Sequence, residues 1–347
     1  MDDRSRVERE IREQPAVVER LLDRGREPVR RVADLLRERG VEGLHVAARG
    51  TSDHAAIYAQ YVLGARTGLP VALAAPSLVT LYGAAPRFGR AAVVGISQSG
   101  ASPDVVGVLE AARAQGAPTI AITNEAGSAL ARAGDLVVDL GAGEERAVAA
   151  TKTYTAELTA IAMLSAALAD DRVADAELAR LPGALGLALG ADEAAAAAAG
   201  RRAGMTGCVV LGRGFEYATA REWALKIKEL ARLIADPYSA ADFLHGPLAL
   251  IESGFPVLAV ATSGTVVAGM AELLGRLRDE HGADVVAIAD RPDVPADAIL
   301  PSPPDLPEWL RPVVSIVPAQ LFAVHLARAR GLDPDRPRHI RKVTRTR

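Results

Sequence analysis

Residues 91–104 read Ala-Ala-Val-Val-Gly-Ile-Ser-Gln-Ser-Gly-Ala-Ser-Pro-Asp: a short apolar run, a hydroxyl-rich turn, then a proline and an acid. A run this short, closed by small polar residues, fits a strand buried on both faces, as in parallel sheets. Proline suits the first helical position, so a helix is predicted from about Pro103. The same pattern recurs on both sides. Residues 44–48 run into Arg49-Gly50-Thr51-Ser52, and 71–75 form a second run. Residues 119–122 lead into Thr123-Asn124, and 136–140 into Gly141-Ala142-Gly143, before a helical stretch over 153–168. Strands alternating with helices imply βα units around a parallel sheet.

The pattern then restarts. Residues 208–211 lead into Gly212-Arg213-Gly214 and a long predicted helix over 216–233. Strands over 257–261 and 285–289 follow, another starts at Ile299, and a last helix over 312–329 precedes a basic tail. Between the halves, 175–202 is rich in alanine, the best helix former, and is predicted to be a joining helix. Ahead of the first strand, 5–40 alternates charge with Val, Leu and Ile at helical spacing, predicting two amphipathic helices broken near Pro15 and Pro28. The expected organisation is a helical segment 1–35, an α/β domain 36–175, a helical linker 176–203, a second α/β domain 204–335 and a tail 336–347.

At 347 residues the chain is long enough for two domains, or for one built from two similar halves. A net charge of −3 lacks the electrostatic footprint of a nucleic-acid binder. The single Cys208 can form no intrachain disulfide and supplies no thiol cluster for zinc, which fits a reducing cytoplasm. The N-terminal dozen residues are charged, so no signal peptide is expected, and no apolar stretch reads as a membrane span.

In an open parallel sheet, ligands bind beyond the C-terminal strand ends where strand order reverses. With a flavodoxin-like order that point lies between the first and third strands, whose loops are Gly50-Thr51-Ser52 and Ser97-Gln98-Ser99-Gly100-Ala101-Ser102. Serines at such places also serve as helix caps and turn formers. Two hydroxyl-rich loops at one crevice, with loop amides and a helix start, instead suit a phosphate dianion. No G-x-x-x-x-G-K motif is present, so the expected ligand is a small phosphorylated, polyhydroxylated molecule rather than a nucleoside triphosphate. Gly212-Arg213-Gly214 lacks the third glycine of a dinucleotide fingerprint, since position 217 is Tyr217, and reads as a tight turn.

Glu222, Lys226 and Glu229 fall at i, i+4 and i+7 on one helix face, with Lys228 off it. Such spacing describes either a solvated ion-pair ladder or a carboxylate base beside an ammonium. His245 sits in a predicted turn, Phe243-Leu244-His245-Gly246-Pro247, and Lys342 in the tail. A lone turn histidine is more often structural, and a tail lysine is by default solvated.

Together these residues resemble the double sugar-isomerase (SIS) domain family, and especially the isomerase half of the glutamine:fructose-6-phosphate amidotransferases. The shared motifs are Glu10-Ile11-Arg12-Glu13-Gln14-Pro15, Gly50-Thr51-Ser52, 96–100, Val148-Ala149-Ala150-Thr151-Lys152, 224–229, His245-Gly246-Pro247 and Pro337-Arg338. The resemblance implies two tandem SIS domains, each a flavodoxin-like parallel sheet flanked by helices. It implies that Ser97, Gln98, Ser99 and Ser102 hold a sugar phosphate, with Gly50, Thr51 and Ser52 beside it. Glu229 would move a proton between C1 and C2, with Lys226 stabilising enediol charge. His245 would promote ring opening from the neighbouring subunit of a homodimer, and Lys342 would contact the open-chain carbonyl under an ordered tail. No metal or cofactor is implied.

Departures qualify the resemblance. The sequence begins at the isomerase region without the glutaminase cysteine, so it is not expected to draw ammonia from glutamine. The cysteine before Gly-Thr-Ser in the synthases is Arg49 here, and their serine before Thr-Lys is Ala150. Ser102-Pro103-Asp104 looks more like stand-alone members. The leading expectation is conversion of glucosamine 6-phosphate to fructose 6-phosphate and ammonia. The alternatives are fructosamine-6-phosphate deglycation, a galactosamine-type substrate, or a non-catalytic sugar-phosphate sensor.

Overall fold

Ten strands, all paired in parallel, build two five-stranded sheets among the described residues. The structure is a computed structural model in which residues 4–342 are described; positions 1–3 and 343–347, the ends of the expected helical segment and tail, lie outside the described residues. The first sheet holds β1 Gly43–Ala47, β2 Val71–Leu73, β3 Ala91–Ser97, β4 Thr119–Thr123 and β5 Leu136–Asp139. The second holds β6 Gly207–Gly212, β7 Ile234–Ser239, β8 Pro256–Val260, β9 Asp284–Ala289 and β10 Ala298–Pro301. Their orders are β2-β1-β3-β4-β5 and β10-β9-β8-β6-β7. Counted within each sheet, both are 2-1-3-4-5, the flavodoxin-like order, so each sheet has one switch point between its first and third strands.

The central strands are continuous apolar runs because helices cover both faces. β4 is buried throughout, and β3 is buried at every residue but its first. The helix Lys152–Ala169 is buried along residues 152–166. The helix Arg311–Ala329 belongs to a stretch long and apolar enough to cross a membrane, which corrects the expectation that none exists; 94% of that window is buried inside the fold. β7 escaped the sequence reading because Asp236 and Pro237 interrupt it. It sits at a sheet edge, where a proline sacrifices no ladder hydrogen bond. Cys208, on β6, is buried, and burial pushes its thiol up to about 12, so it stays an unreactive thiol.

The chain divides into two compact units that are interleaved in sequence. Ala16–Arg146, Lys152–Ala179 and the segment from Ile340 belong with the first sheet; residues up to Pro15, Ala147–Thr151 and Arg180–His339 belong with the second. The N-terminal break falls at Gly25, between helices Arg6–Arg24 and Arg26–Glu38, and not at the prolines. Pro15 is tolerated inside a helix because the carbonyl of Ile11, which its missing N–H would have served, accepts from Gln14 Nε2 at 2.9 Å. Pro28 lies in a first turn, where no intrahelical donor is needed. The alanine-rich linker is not one helix but three α-helical pieces, Arg172–Leu178, Leu181–Ala188 and Asp192–Arg201, the last two joined by a 3-10 turn, Leu189–Ala191. In the second unit, the Glu10 carboxylate accepts from the Ala147 amide and Gln14 pairs with Gln320 at 2.8 Å. The N-terminal motif therefore fastens backbone and core.

Candidate active site

In the first unit, the loops after β1 and β3 flank the switch point. Gly50 adopts φ +58, and the helix Thr51–Thr67 starts directly after it. Ser52 is buried and donates to Glu157 Oε1 at 2.7 Å, a partner on the helix Lys152–Ala169 that no local pattern could reveal. In the β3 loop, Ser97 Oγ accepts from the Gly100 amide at 3.2 Å and Ser99 Oγ from the Ala101 amide at 3.3 Å. Each hydroxyl is fixed as an acceptor within the turn, and among the described residues its own proton has no acceptor. Ser102 occupies the N-cap position of the helix Pro103–Ala114 but makes no capping bond. The Gln98 side-chain amide likewise has no partner among the described residues. Gly100 at φ +57 has no room for a side chain: a Cβ there would lie 2.0 Å from Ser128 Oγ. The loop thus offers three serine hydroxyls and an amide at one strand end, the donor set a phosphate requires.

Lys342 also belongs to the first unit. Its ammonium donates to Glu145 Oε2 at 2.6 Å, and Glu145 is buried and further bonded by the Thr153 hydroxyl at 2.7 Å. The tail lysine is therefore paired, contrary to the solvated default. Ala150 stands beside Thr151, whose carbonyl accepts from Gln320 at 3.4 Å in the second unit. A cavity of about 620 Å³ in the first unit is lined by Leu22, Arg26, Met163, Asp171 and Asp175 among others, and by none of the expected site residues.

In the second unit, the predicted helix over 216–233 is regular only for Tyr217–Lys226 and then widens into a π-helical turn, Ile227–Ala231, ended by Arg232 in the left-handed conformation. Such turns insert a residue into the ladder and re-aim side chains. Trp223 packs edge-on against Phe322, ring centroids 5.5 Å apart, and fixes the helix to its neighbour. Lys226 Nζ lies 3.2 Å from Glu222 Oε1 and 2.5 Å from Glu229 Oε2. Lys226 and Glu222 are fully buried, and Glu229 is 20% exposed. The solvated ladder is excluded by this burial. Burial alone would lower the Lys226 pKa, but the charges of Glu222 and Glu229 outweigh it and hold the amine above its ordinary value. Lys226 is a fixed cation, and Glu229 is the partly exposed member of the trio. His245 is exposed in its turn, its amide bonded to the Asp242 carbonyl at 3.0 Å, with Gly246 at φ +131 behind it.

The second sheet repeats the switch point but fills it from within. Gly212 starts the expected tight turn, since a Cβ there would meet the Glu216 carbonyl at 2.5 Å. Glu216 is buried and accepts from Thr262, Thr219 and Ser315 hydroxyls; burial pushes its carboxyl up despite those bonds and Arg311. The Ser263 amide donates to Asp290, and the Glu308 carboxylate lies where a Cβ of Gly264 would be, accepting from Thr265 at 2.9 Å. Three carboxylates of the chain itself occupy this crevice, whereas the corresponding loop of the first sheet keeps its hydroxyl protons unspent.

These features define a doubly wound α/β fold used twice, with a hydroxyl-lined switch point in one copy and a buried Lys–Glu cluster in the other. The chain belongs to the SIS domain family, which matches residues 35–167 and 208–330. It is 34% identical over 346 residues to the glutamine–fructose-6-phosphate aminotransferase (isomerizing) of Thermococcus kodakarensis, covering 96% of this chain and 57% of that protein. The chain therefore spans somewhat over half the length of such relatives. A crystal structure of a protein from Silicibacter pomeroyi DSS-3, provisionally described as a phosphosugar isomerase, superposes with TM-score 0.88 at 38% identity, covering 96% of this chain and all of that one. The C-terminal domain of the glucosamine-fructose-6-phosphate aminotransferase of Francisella tularensis gives TM-score 0.86 at 25% identity, covering 96% and 99%.

Proposed function

We propose that the chain is an aldose–ketose isomerase of amino-sugar phosphates acting as a deaminase, converting glucosamine 6-phosphate and water to fructose 6-phosphate and ammonia. The observation that carries this reading is the buried Lys226 ammonium clamped between Glu222 and Glu229. A carboxylate in contact with a buried cation that keeps its own proton near neutral pH is placed to serve as a base, and its partial exposure leaves it open to a ligand. The relatives named for fructose-6-phosphate chemistry support the substrate class.

In this mechanism Ser97, Gln98, Ser99 and Ser102 hold the phosphate, with Gly50, Thr51 and Ser52 beside the ligand. His245 promotes ring opening, supplied by the neighbouring subunit of a homodimer. Glu229 takes the proton from C2 of the open-chain aldehyde and returns it to C1. Lys226 stabilises the charge that develops on the enolic intermediate. The resulting ketimine at C2 adds water and expels ammonia. Lys342 leaves Glu145 to contact the open-chain oxygen at C1.

Incubation of the purified protein with glucosamine 6-phosphate should release ammonia and fructose 6-phosphate in equal amounts. Binding of the substrate without either product would overturn the deaminase reading in favour of fructosamine deglycation or sensing.

A further inference from the structure

We propose that Arg49 is a phosphate ligand of this site, positioned by Asp104; the inference rests on the sugar-phosphate reading above. β1 and β3 pair with Ala47 opposite Gly95. Arg49 and Ser97 each lie two residues further on, so the two loops leave the sheet side by side, at the roughly 5 Å spacing of neighbouring strands. Arg49 then reaches across the crevice: its Nε donates to Asp104 Oδ2 at 2.6 Å. Asp104 is the second residue of the helix that Ser102 precedes, so the guanidinium is held at the helix start beside the serine loop.

Only Nε is spent in that bond. Among the described residues the two Nη groups have no partner, and the side chain is 48% exposed, whereas Asp104 is fully buried. A guanidinium tethered through Nε presents its remaining N–H donors as a planar fork, the geometry suited to phosphate oxygens. The pairing also answers an electrostatic difficulty. A buried carboxylate at the helix start opposes the approach of a dianion to the same amides, and Arg49 neutralises it where the ligand must sit. In the second sheet the chain's own carboxylates occupy the crevice, and Asp290 there is paired with the buried Arg311 at 2.7 Å.

The test is calorimetric binding of glucitol 6-phosphate, an open-chain alditol phosphate that cannot react, to wild-type protein, R49M and R49K, with thermal unfolding as the fold control. R49M is expected to bind roughly tenfold or more weakly, having lost a charge-assisted contact and exposed the Asp104 charge to the ligand. R49K keeps the charge without the fork and is expected to fall between the two. Unphosphorylated glucitol, compared across all three proteins, should show no dependence on position 49. Equal affinity of wild type, R49M and R49K for the alditol phosphate would overturn the proposal while leaving the sugar-phosphate site standing. Failure of wild-type protein to bind any hexose or hexitol phosphate would overturn both. If R49M does not fold, R49K decides: affinity equal to wild type refutes the fork, and a several-fold loss supports it.

Discussion

Glu229→Gln is expected to lower turnover of glucosamine 6-phosphate by roughly 10²–10⁴-fold while leaving its affinity within a few-fold of wild type. The substitution keeps the shape of the side chain and a hydrogen-bonding group near Lys226 but removes the lone pair that accepts the C2 proton. Glu229 is the 20%-exposed member of a trio whose other two members are fully buried, so on the proposed reading it is this carboxylate, and not Glu222, that would meet the substrate. The serine loop after β3, proposed to hold the phosphate, belongs to the first sheet and is untouched by the change. Steady-state rates and calorimetric affinity for the same ligand separate the two effects. Full retained activity in Glu229→Gln would show that another group moves the proton.

Lys226→Met is expected to cost about 3–5 kcal/mol of stability, far more than removal of a surface ion pair, because it strands the buried Glu222 beside a second carboxylate. Chemical denaturation of the variant against wild type measures the loss, and Glu222→Gln in the Lys226→Met background should recover part of it. A change below about 1 kcal/mol would mean that the pair is solvated. The pH dependence has a definite sign. The folded-state pKa of Lys226 lies above its unfolded value of 10.5, so its contribution is fully present below pH 10.5 and is lost as pH rises through the folded value. The cluster therefore weakens on the alkaline side and gives no stability step from Lys226 near neutrality.

The central strands were legible because burial on both faces leaves them as uninterrupted apolar runs, and the two hydroxyl loops were legible because they follow apolar runs directly. β7 was not, since an edge strand needs neither a continuous apolar run nor an unbroken set of N–H donors. Pro15 misled because the rescue of Ile11 by Gln14 is a side-chain event that helix rules do not anticipate. For the site, spacing placed Glu222, Lys226 and Glu229 on one face but left open whether water or protein surrounds them. That was decided by packing from a helix about a hundred residues further on, where Phe322 meets Trp223. Asp104, Glu145 and Glu157, the acids that hold Arg49, Lys342 and Ser52, carry no local signature and come together with their partners only through the fold. The filling of the second crevice was equally hidden, because Glu308 meets Thr265 across 43 positions of sequence.

Glu229 is proposed to move a proton between C1 and C2 of a bound sugar phosphate. The most direct measurement is proton NMR of fructose 6-phosphate held with the protein in D₂O containing ammonium chloride. Enzyme-dependent replacement of one C1 hydrogen by deuterium is expected, and its absence in Glu229→Gln. Fructose 6-phosphate bound at saturation with no deuterium entering at C1 would contradict it.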